Sequence, residues 1–485
     1  MMSSDLPSAP PLPEGLVAVV KRDCPTCELV APVLHDLHER TGLTVITQDD
    51  PAFPADAGWV RHDDDLALSW HHDIDTVPTL LRVSDGAEIE RTVGWSRAEW
   101  EKLTGVEGLG DGLPEWRPGC GSLSVDPDLV DELAVRFSGS GLRSRRVELA
   151  AMEDTWEAMF DRGWSDGLPV VPPTEPRVLK MLEGTSRDPS DVVATVPPSL
   201  VECTVEKVAV NAVMAGCAPE HLPVVIAAVE ASCTDTFNMH GVLATTMSVG
   251  PVLVVNGPIT ARIGMNSGLN ALGQGNRANS TIGRALQLVV RNVGGGRPGE
   301  VDRATLGSPA KVGFCFAEDT AGSPWTSLAE SRGWSGDQST VTVFAGESPR
   351  LFADQRTRSA EALTRHLAQA LRATVSPRAM MGMDAMLVLS PEHMARFVDA
   401  RWSRDRFMEV LGDELLVDAD ELLSGADGIS EGLPAAAAGN KVPKFRDGGL
   451  VVVHAGGPAG LFSAIIGGWA NGPGGSDPVT REITP

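Results

Sequence analysis

Three stretches of the chain repeat one pattern: PVLVVNGPITARIG (251–264), AMLVLSPEHMARFV (385–398) and LVVVHAGGPAGLFSAII (450–466). Each is an apolar run, then a Gly/Pro/Ser turn, then residues at helical spacing. A short apolar run closed by a turn reads as a buried strand. Repeated strand–turn–helix units require an α/β fold with at least a partly parallel sheet. Ligands in such folds bind at the carboxyl ends of strands, where these turns lie. Asn256 and His454 are therefore binding candidates by position, with Gly456 and Gly457 beside them. No P-loop pattern occurs, and the GxGxxG match GGGRPG at 294–299 closes an expected helix instead of following a strand, so no nucleotide is implied.

At 485 residues the chain exceeds one ordinary core, and two or three domains are expected. The longest apolar runs, such as VAVNAVMAGCA and LPVVIAAVEA, stop well short of a membrane span. The start, MMSSDLPSAPPLPEG, has no basic segment followed by an apolar one, so a cytoplasmic location is expected. Seven cysteines, an odd number, argue against a secreted disulfide framework. A formal charge of −25 repels nucleic acid and anionic lipid, and no basic patch offsets it. Nothing in the composition excludes a homo-oligomer.

The most specific chemistry sits near the start. GLVAVV (15–20) reads as a buried strand, and Cys24-Pro25-Thr26-Cys27 follows at the turn. Leu29, Val30, Val33, Leu34 and Leu37 then recur at helical spacing up to Gly42. A cysteine at a helix start meets unpaired N–H groups and the positive end of the helix dipole, both of which favour thiolate. Cys24 is thus the expected nucleophile, and Cys27, one turn deeper, the resolving thiol of a redox-active Cys24–Cys27 disulfide. A zinc clip would need two more ligands, and the spacing of His35 and His38 does not supply them.

Further strands are expected at LTVIT, at an entry spanning Thr76-Val77-Pro78-Thr79-Leu80-Leu81, and at AEIERTVGW, with a second helix at DDLALSWHHDI and a closing helix at SRAEWEKLTG. A strand, a CxxC turn, a helix and a later Val-Pro-Thr strand entry resemble the thioredoxin family over residues 15–106. The resemblance implies a thioredoxin-like domain with Pro78 cis and packed against the two cysteines. CPTC departs from the commoner CGPC of that family. Residues 1–14 read as a flexible tail, and 107–125, EGLGDGLPEWRPGCGSLSV, as a Gly/Pro-rich linker. Cys120 in that linker is either incidental or a mobile thiol relaying electrons.

Residues 126–485 are expected to form a large α/β catalytic domain, as one body or two subdomains. Its densest polar stretch, 264–296, holds Asn266, Asn276, Arg277 and Asn279 ahead of a helix expected to start near Ser280. Glycines allow close backbone approach, the helix start offers N–H groups, and Arg277 offers a bidentate fork to an anion. The alternative is that these residues serve turn geometry and capping. Cys233 and His240 are a candidate nucleophile and base, and Glu318 or Asp319 a candidate acid or base. A divalent metal on His240, Glu318 and Asp319 is the other arrangement these residue types allow.

DGLPVVPPT, EKVAVNAVMAGC, VNGPI, GNRANSTIGRA and AEDTAGSPW together resemble a poorly characterised bacterial family, over most of residues 160–480. That family is associated with small proteins carrying a Gly-Ser-Cys motif with selenocysteine or cysteine, so the resemblance implies such a partner. It implies no reaction. The expectation is a thiol-dependent oxidoreductase in which the CPTC domain serves a fused domain acting on a small anionic organic substrate. Covalent fusion supplies the high effective concentration this needs. The alternatives are a lyase or hydratase whose fused domain keeps cysteines reduced, and a redox-sensing ligand-binding protein.

Overall fold

The protein is described here by a computed structural model covering residues 9–137, 142–147, 149–150, 153–423 and 435–484. The chain forms two compact units, Met1–Gly141 and Leu142–Pro485. Both combine helices with mixed sheets, which places the protein in the α/β class. Among the described residues no helix is long and apolar enough to cross a membrane.

The first unit is built on five strands lying side by side in the order Val60–His62, Thr44–Thr47, Gly15–Val20, Thr79–Ser84 and Ala87–Val93. The first three run parallel, and the last two join antiparallel. Val17–Val20 are fully buried, as a central strand covered on both faces requires. Helix Pro25–Thr41 follows. Pro25 opens it where a missing N–H costs nothing, and Gly42 closes it in the left-handed region at φ 76°. Its buried residues, Cys27, Val30, Val33, Leu34 and Leu37, lie three and four apart and form one apolar stripe. The Val77–Pro78 peptide is cis.

Two boundaries differ from those read in the sequence. Residues 107–125 are not a linker but part of the first unit's fold. Trp116–Arg117 pairs antiparallel with Trp95–Ser96, and Cys120–Gly121 with Thr76–Val77. The glycine that suggested a flexible connection serves close packing instead. A Cβ on Gly119 would lie 2.3 Å from Thr76 Cγ2 and 2.8 Å from the Val77 carbonyl oxygen. Helix Val130–Phe137 also belongs here, its Leu133 and Phe137 buried with Leu66 and Ala67. Of the expected flexible tail, residues 1–8 lie outside the described residues, while the rest is docked. Leu12 is buried, the Pro10 carbonyl meets His72 Nε2 at 2.8 Å, and Glu14 accepts the N–H groups of Asp85 and Gly86.

In the second unit one strand set comprises Cys315–Ala317, Gly250–Asn256, Thr340–Gly346 and Val479–Glu482. The other comprises Arg350–Ala353, Phe462–Ala470, Met383–Leu389 and Leu450–His454. One residue pair, Gly346 with Gly468, joins them into a single sheet. Alternation along the strands shows the layering. Leu253, Val255, Val341 and Val343 pack with helices Val205–Ala215, Leu222–Ser232 and Arg277–Asn292. Ala385, Leu387, Val452 and Ile465 pack with helices Ala360–Arg372, Pro391–Asp399 and Arg404–Glu414. The alternate residues of both sets, Val252, Val254, Phe344, Met386, Val388, Val453 and Ile466, share one further core. The unit is therefore layered α/β/β/α, and the two subdomains allowed for in the sequence take the form of two half-sheets sharing a core.

Two of the three repeats, 251–264 and 385–398, are strand then helix; the third is not. LFSAII belongs to strand Phe462–Ala470, antiparallel to both Met383–Leu389 and Arg350–Ala353. Its β-branched and small residues suit a central strand buried on both sides.

A fragment ending at residue 141 is expected to unfold cooperatively. One ending at 106 loses both short strand pairs and should melt lower by at least about 5 °C, since a domain of this size shifts by several degrees per kcal/mol. Equal melting temperatures by circular dichroism would show 107–125 to be dispensable.

Candidate functional site

Cys24 stands at the junction of strand and helix as the N-cap of Pro25–Thr41, and its sulfur accepts the Cys27 N–H at 3.3 Å. Its own S–H, when present, points to the Val77 carbonyl oxygen at 3.5 Å. Cys24 is 1% exposed and Cys27 0%. Cys120 lies opposite Val77 in the short strand pair, half-buried against the same core. All seven cysteines are free thiols in this structure.

Electrostatics separate the three sulfurs. The Cys27 thiol donating to Cys24 is the main cause that brings the Cys24 thiol down to about 5. The Cys120 thiol and the N–H groups of Cys27 and Thr26 act in the same direction, against the cost of burial. Burial pushes the Cys27 thiol far above its ordinary range, with the neighbouring Cys24 adding to the effect. Cys120 is also pushed up, by burial first and by its bond to Cys24 second. The surroundings thus favour the thiolate at Cys24 and the protonated thiol at Cys27 and Cys120.

A second cluster forms in the second unit where the two half-sheets meet. Asn256 ends one strand, Glu318 follows the strand Cys315–Ala317 that runs parallel to it, and His454 ends a strand of the other half-sheet. Asn256 Nδ2 donates to Glu318 Oε2 at 2.5 Å, and the Leu328 N–H donates to the same oxygen at 2.8 Å. The His454 N–H reaches Glu318 Oε1 at 3.4 Å, and His454 Nδ1 lies 3.0 Å from the Asp319 carbonyl oxygen. The Asp319 carboxylate is 3.6 Å from the same nitrogen. Burial raises the Glu318 carboxyl above its ordinary range, although three donors and the charge of Arg404 oppose this. His454 Nε2 and Asn256 Oδ1 are buried without a protein partner. A cleft of about 370 Å³, whose lining includes Ser390, Ala455, Gly456, Gly457 and Ser463 but none of Asn256, Glu318, Asp319 and His454, begins at the residue after His454. A carboxyl whose protonated form is favoured by burial is a candidate for proton transfer.

Four of the residues singled out in the sequence thus come together: Asn256, Glu318, Asp319 and His454. Others do not join them. The helix after the Asn-rich loop begins at Arg277, three residues before Ser280, with Asn276 as its cap accepting the Asn279 N–H. Asn276 Nδ2 donates to the Gly264 carbonyl, and Asn279 Nδ2 to those of Asn266 and Ala271. The asparagines hold the loop together. Arg277 directs its fork at the carbonyls of Gly216 and Cys217, at 2.9 and 3.0 Å, just past helix Val205–Ala215. The guanidinium is therefore a cap on a neighbouring helix end rather than an anchor for an anion, and Ser280 is exposed on the first turn.

Cys233 ends helix Leu222–Ser232, and burial pushes its thiol up to about 12. His240 is exposed on helix Met239–Ala244 rather than in an irregular stretch. Among the described residues no three His, Cys, Asp or Glu side chains are grouped to hold a metal ion, so His240, Glu318 and Asp319 do not form such a set. Sequence reasoning placed Cys120 in a linker, as an incidental or a mobile relaying thiol, and left out Arg404, which faces Glu318 from a helix distant in sequence. Comparison with protein-family models, with curated proteins and with solved structures finds no match.

Two outcomes follow. A thiolate absorbance at 240 nm should titrate at about pH 5 in the reduced protein and vanish in Cys24→Ser. A thiol lowered by folding stabilises above its unfolded pKa and loses that contribution as pH falls through the folded one. The stability gap between wild type and Cys24→Ser should therefore widen from pH 5 to pH 9, and a gap independent of pH would show that Cys24 is not ionised.

Glu318 has the opposite sign, because its raised carboxyl stabilises at low pH and loses this as pH rises. Glu318→Gln, which stays neutral, should gain on wild type as pH rises. Glu318→Ala should cost about 2–4 kcal/mol by stranding buried N–H groups. Urea unfolding at several pH values measures both, and equal losses in the two variants would contradict the hydrogen-bonding role.

Proposed function

We infer that the first unit carries out thiol–disulfide exchange, with Cys24 as the nucleophile and Cys27 as the thiol that resolves it. The observation carrying this reading is the Cys24 sulfur at a helix start, receiving the Cys27 N–H at 3.3 Å with the Cys27 thiol beside it. A helix N-terminus and converging donors lower the energy of the thiolate, and the buried neighbour is placed to release a mixed disulfide. The resemblance of the CPTC turn and its strand–helix setting to the thioredoxin family agrees with this chemistry. In the second unit, the buried Glu318 beside His454 favours proton transfer on a small organic substrate. It gives the lyase or hydratase reading its support as the second possibility.

Reduction of oxidised glutathione by the pre-reduced protein tests the first reading. Wild type should end with Cys24 and Cys27 joined, as shown by peptide mapping without reductant. Cys24→Ser should react no faster than the uncatalysed background, and Cys27→Ala should leave Cys24 in a disulfide that it cannot pass on. Undiminished exchange by Cys24→Ser would end this assignment.

A further inference from the structure

The segment Trp116–Gly121 crosses directly over the thiols. It is fastened at both ends by the strand pairs with Trp95–Ser96 and Thr76–Val77, and in its middle Thr26 Oγ1 donates to the Pro118 carbonyl at 2.7 Å. Gly119 packs against Thr76 and Val77 where no Cβ fits. Beyond it, Gln48 Nε2 donates to Ser122 Oγ at 2.6 Å, and Ser124 Oγ to the Ile74 carbonyl at 2.6 Å. Cys24, at 1% exposure, cannot be reached by an outside disulfide while this strap is in place. The strap brings its own sulfur. Cys120 sits opposite Val77, the residue whose carbonyl faces Cys24 at 3.5 Å; its thiol is near enough to help lower that of Cys24, and the residue is only partly buried.

We propose that Cys120 is a third redox cysteine, the sulfur through which an outside disulfide reaches the buried Cys24–Cys27 pair. The proposal rests on the exchange reading given above. The steps balance. Cys120, having lost its proton to solvent, attacks a small disulfide RSSR, forming Cys120–S–S–R and expelling RS⁻. The Cys24 thiolate attacks the Cys120 sulfur, forming Cys24–S–S–Cys120 and expelling a second RS⁻. Cys27 then gives up its proton and attacks Cys24, and the Cys120 thiolate leaves and is reprotonated. Overall, RSSR gains two electrons and becomes two RSH, and Cys24 and Cys27 lose them and become a disulfide. Burial and the Cys24 sulfur hold the Cys120 thiol above its ordinary range, so entry through it speeds up as pH rises.

The test uses the full-length chain and oxidised glutathione. In Cys27→Ala, nonreducing peptide mapping should find Cys24 joined to Cys120. Glutathione on Cys24 with Cys120 free, glutathione left on Cys120, or neither modified would each overturn the proposal. In an otherwise wild-type chain, Cys120→Ser should slow formation of the Cys24–Cys27 disulfide by at least about tenfold while leaving its final yield unchanged. An unchanged rate would also overturn it. If wild type forms Cys24–Cys27 but Cys27→Ala never joins Cys24 to Cys120, only the role of Cys120 falls. If wild type forms no disulfide at Cys24, the exchange reading falls with it.

Discussion

A sulfur anion in a nearly dry pocket is tolerated only where hydrogen-bond donors converge on it, and the organisation of the first unit follows from that requirement. The start of helix Pro25–Thr41 supplies the Cys27 N–H, and the first turn of the same helix carries the Cys27 thiol inward beneath it. The remaining open side is closed by Cys120, arriving on a segment that must lie flat against Val77. Gly119 and the bond from Thr26 to Pro118 make that close approach feasible. Removing any one donor would weaken the support for the charge.

The second unit poses the same problem and reaches the opposite balance. Glu318 also gathers donors, from Asn256, Leu328 and His454, yet its burial outweighs them and the protonated form is favoured relative to a free carboxyl. Its position explains why. The carboxyl lies where two half-sheets abut, deep within the inner layer, and the nearest cation, Arg404, makes no hydrogen bond to it among the described residues. The surroundings thus shift two acids of one protein in opposite directions, Cys24 down and Glu318 up.

What the sequence disclosed depended on how local the cause was. Cys24 and Cys27 were legible because a turn and a helix start act on them within four residues. Asn256, Glu318 and His454 were legible because strand ends are marked by the change from apolar run to turn. Arg277 and the asparagines around it left two readings open, because a loop that binds itself has the same composition as one that binds a ligand. LFSAII was misread as a helix because a short apolar run does not reveal its period. The strap was hidden for a related reason. Gly and Pro signal a chain leaving a domain, and equally a backbone pressed against its neighbour, and only the contact with Thr76 and Val77 distinguishes the two.

The register that sets Cys120 against Val77 also bears on how the protein would sense its surroundings. A disulfide closed within one chain is balanced against two free small thiols for every small disulfide consumed. The ratio of its oxidised to its reduced form therefore follows the small-disulfide concentration divided by the square of the thiol concentration. Diluting both reagents together, at a constant ratio, would shift such a bond towards oxidation. A sulfur capped by a single small thiol shows no such dependence. Tethering the partner cysteine makes the cluster respond to how much thiol surrounds it, as well as to how reduced that thiol is.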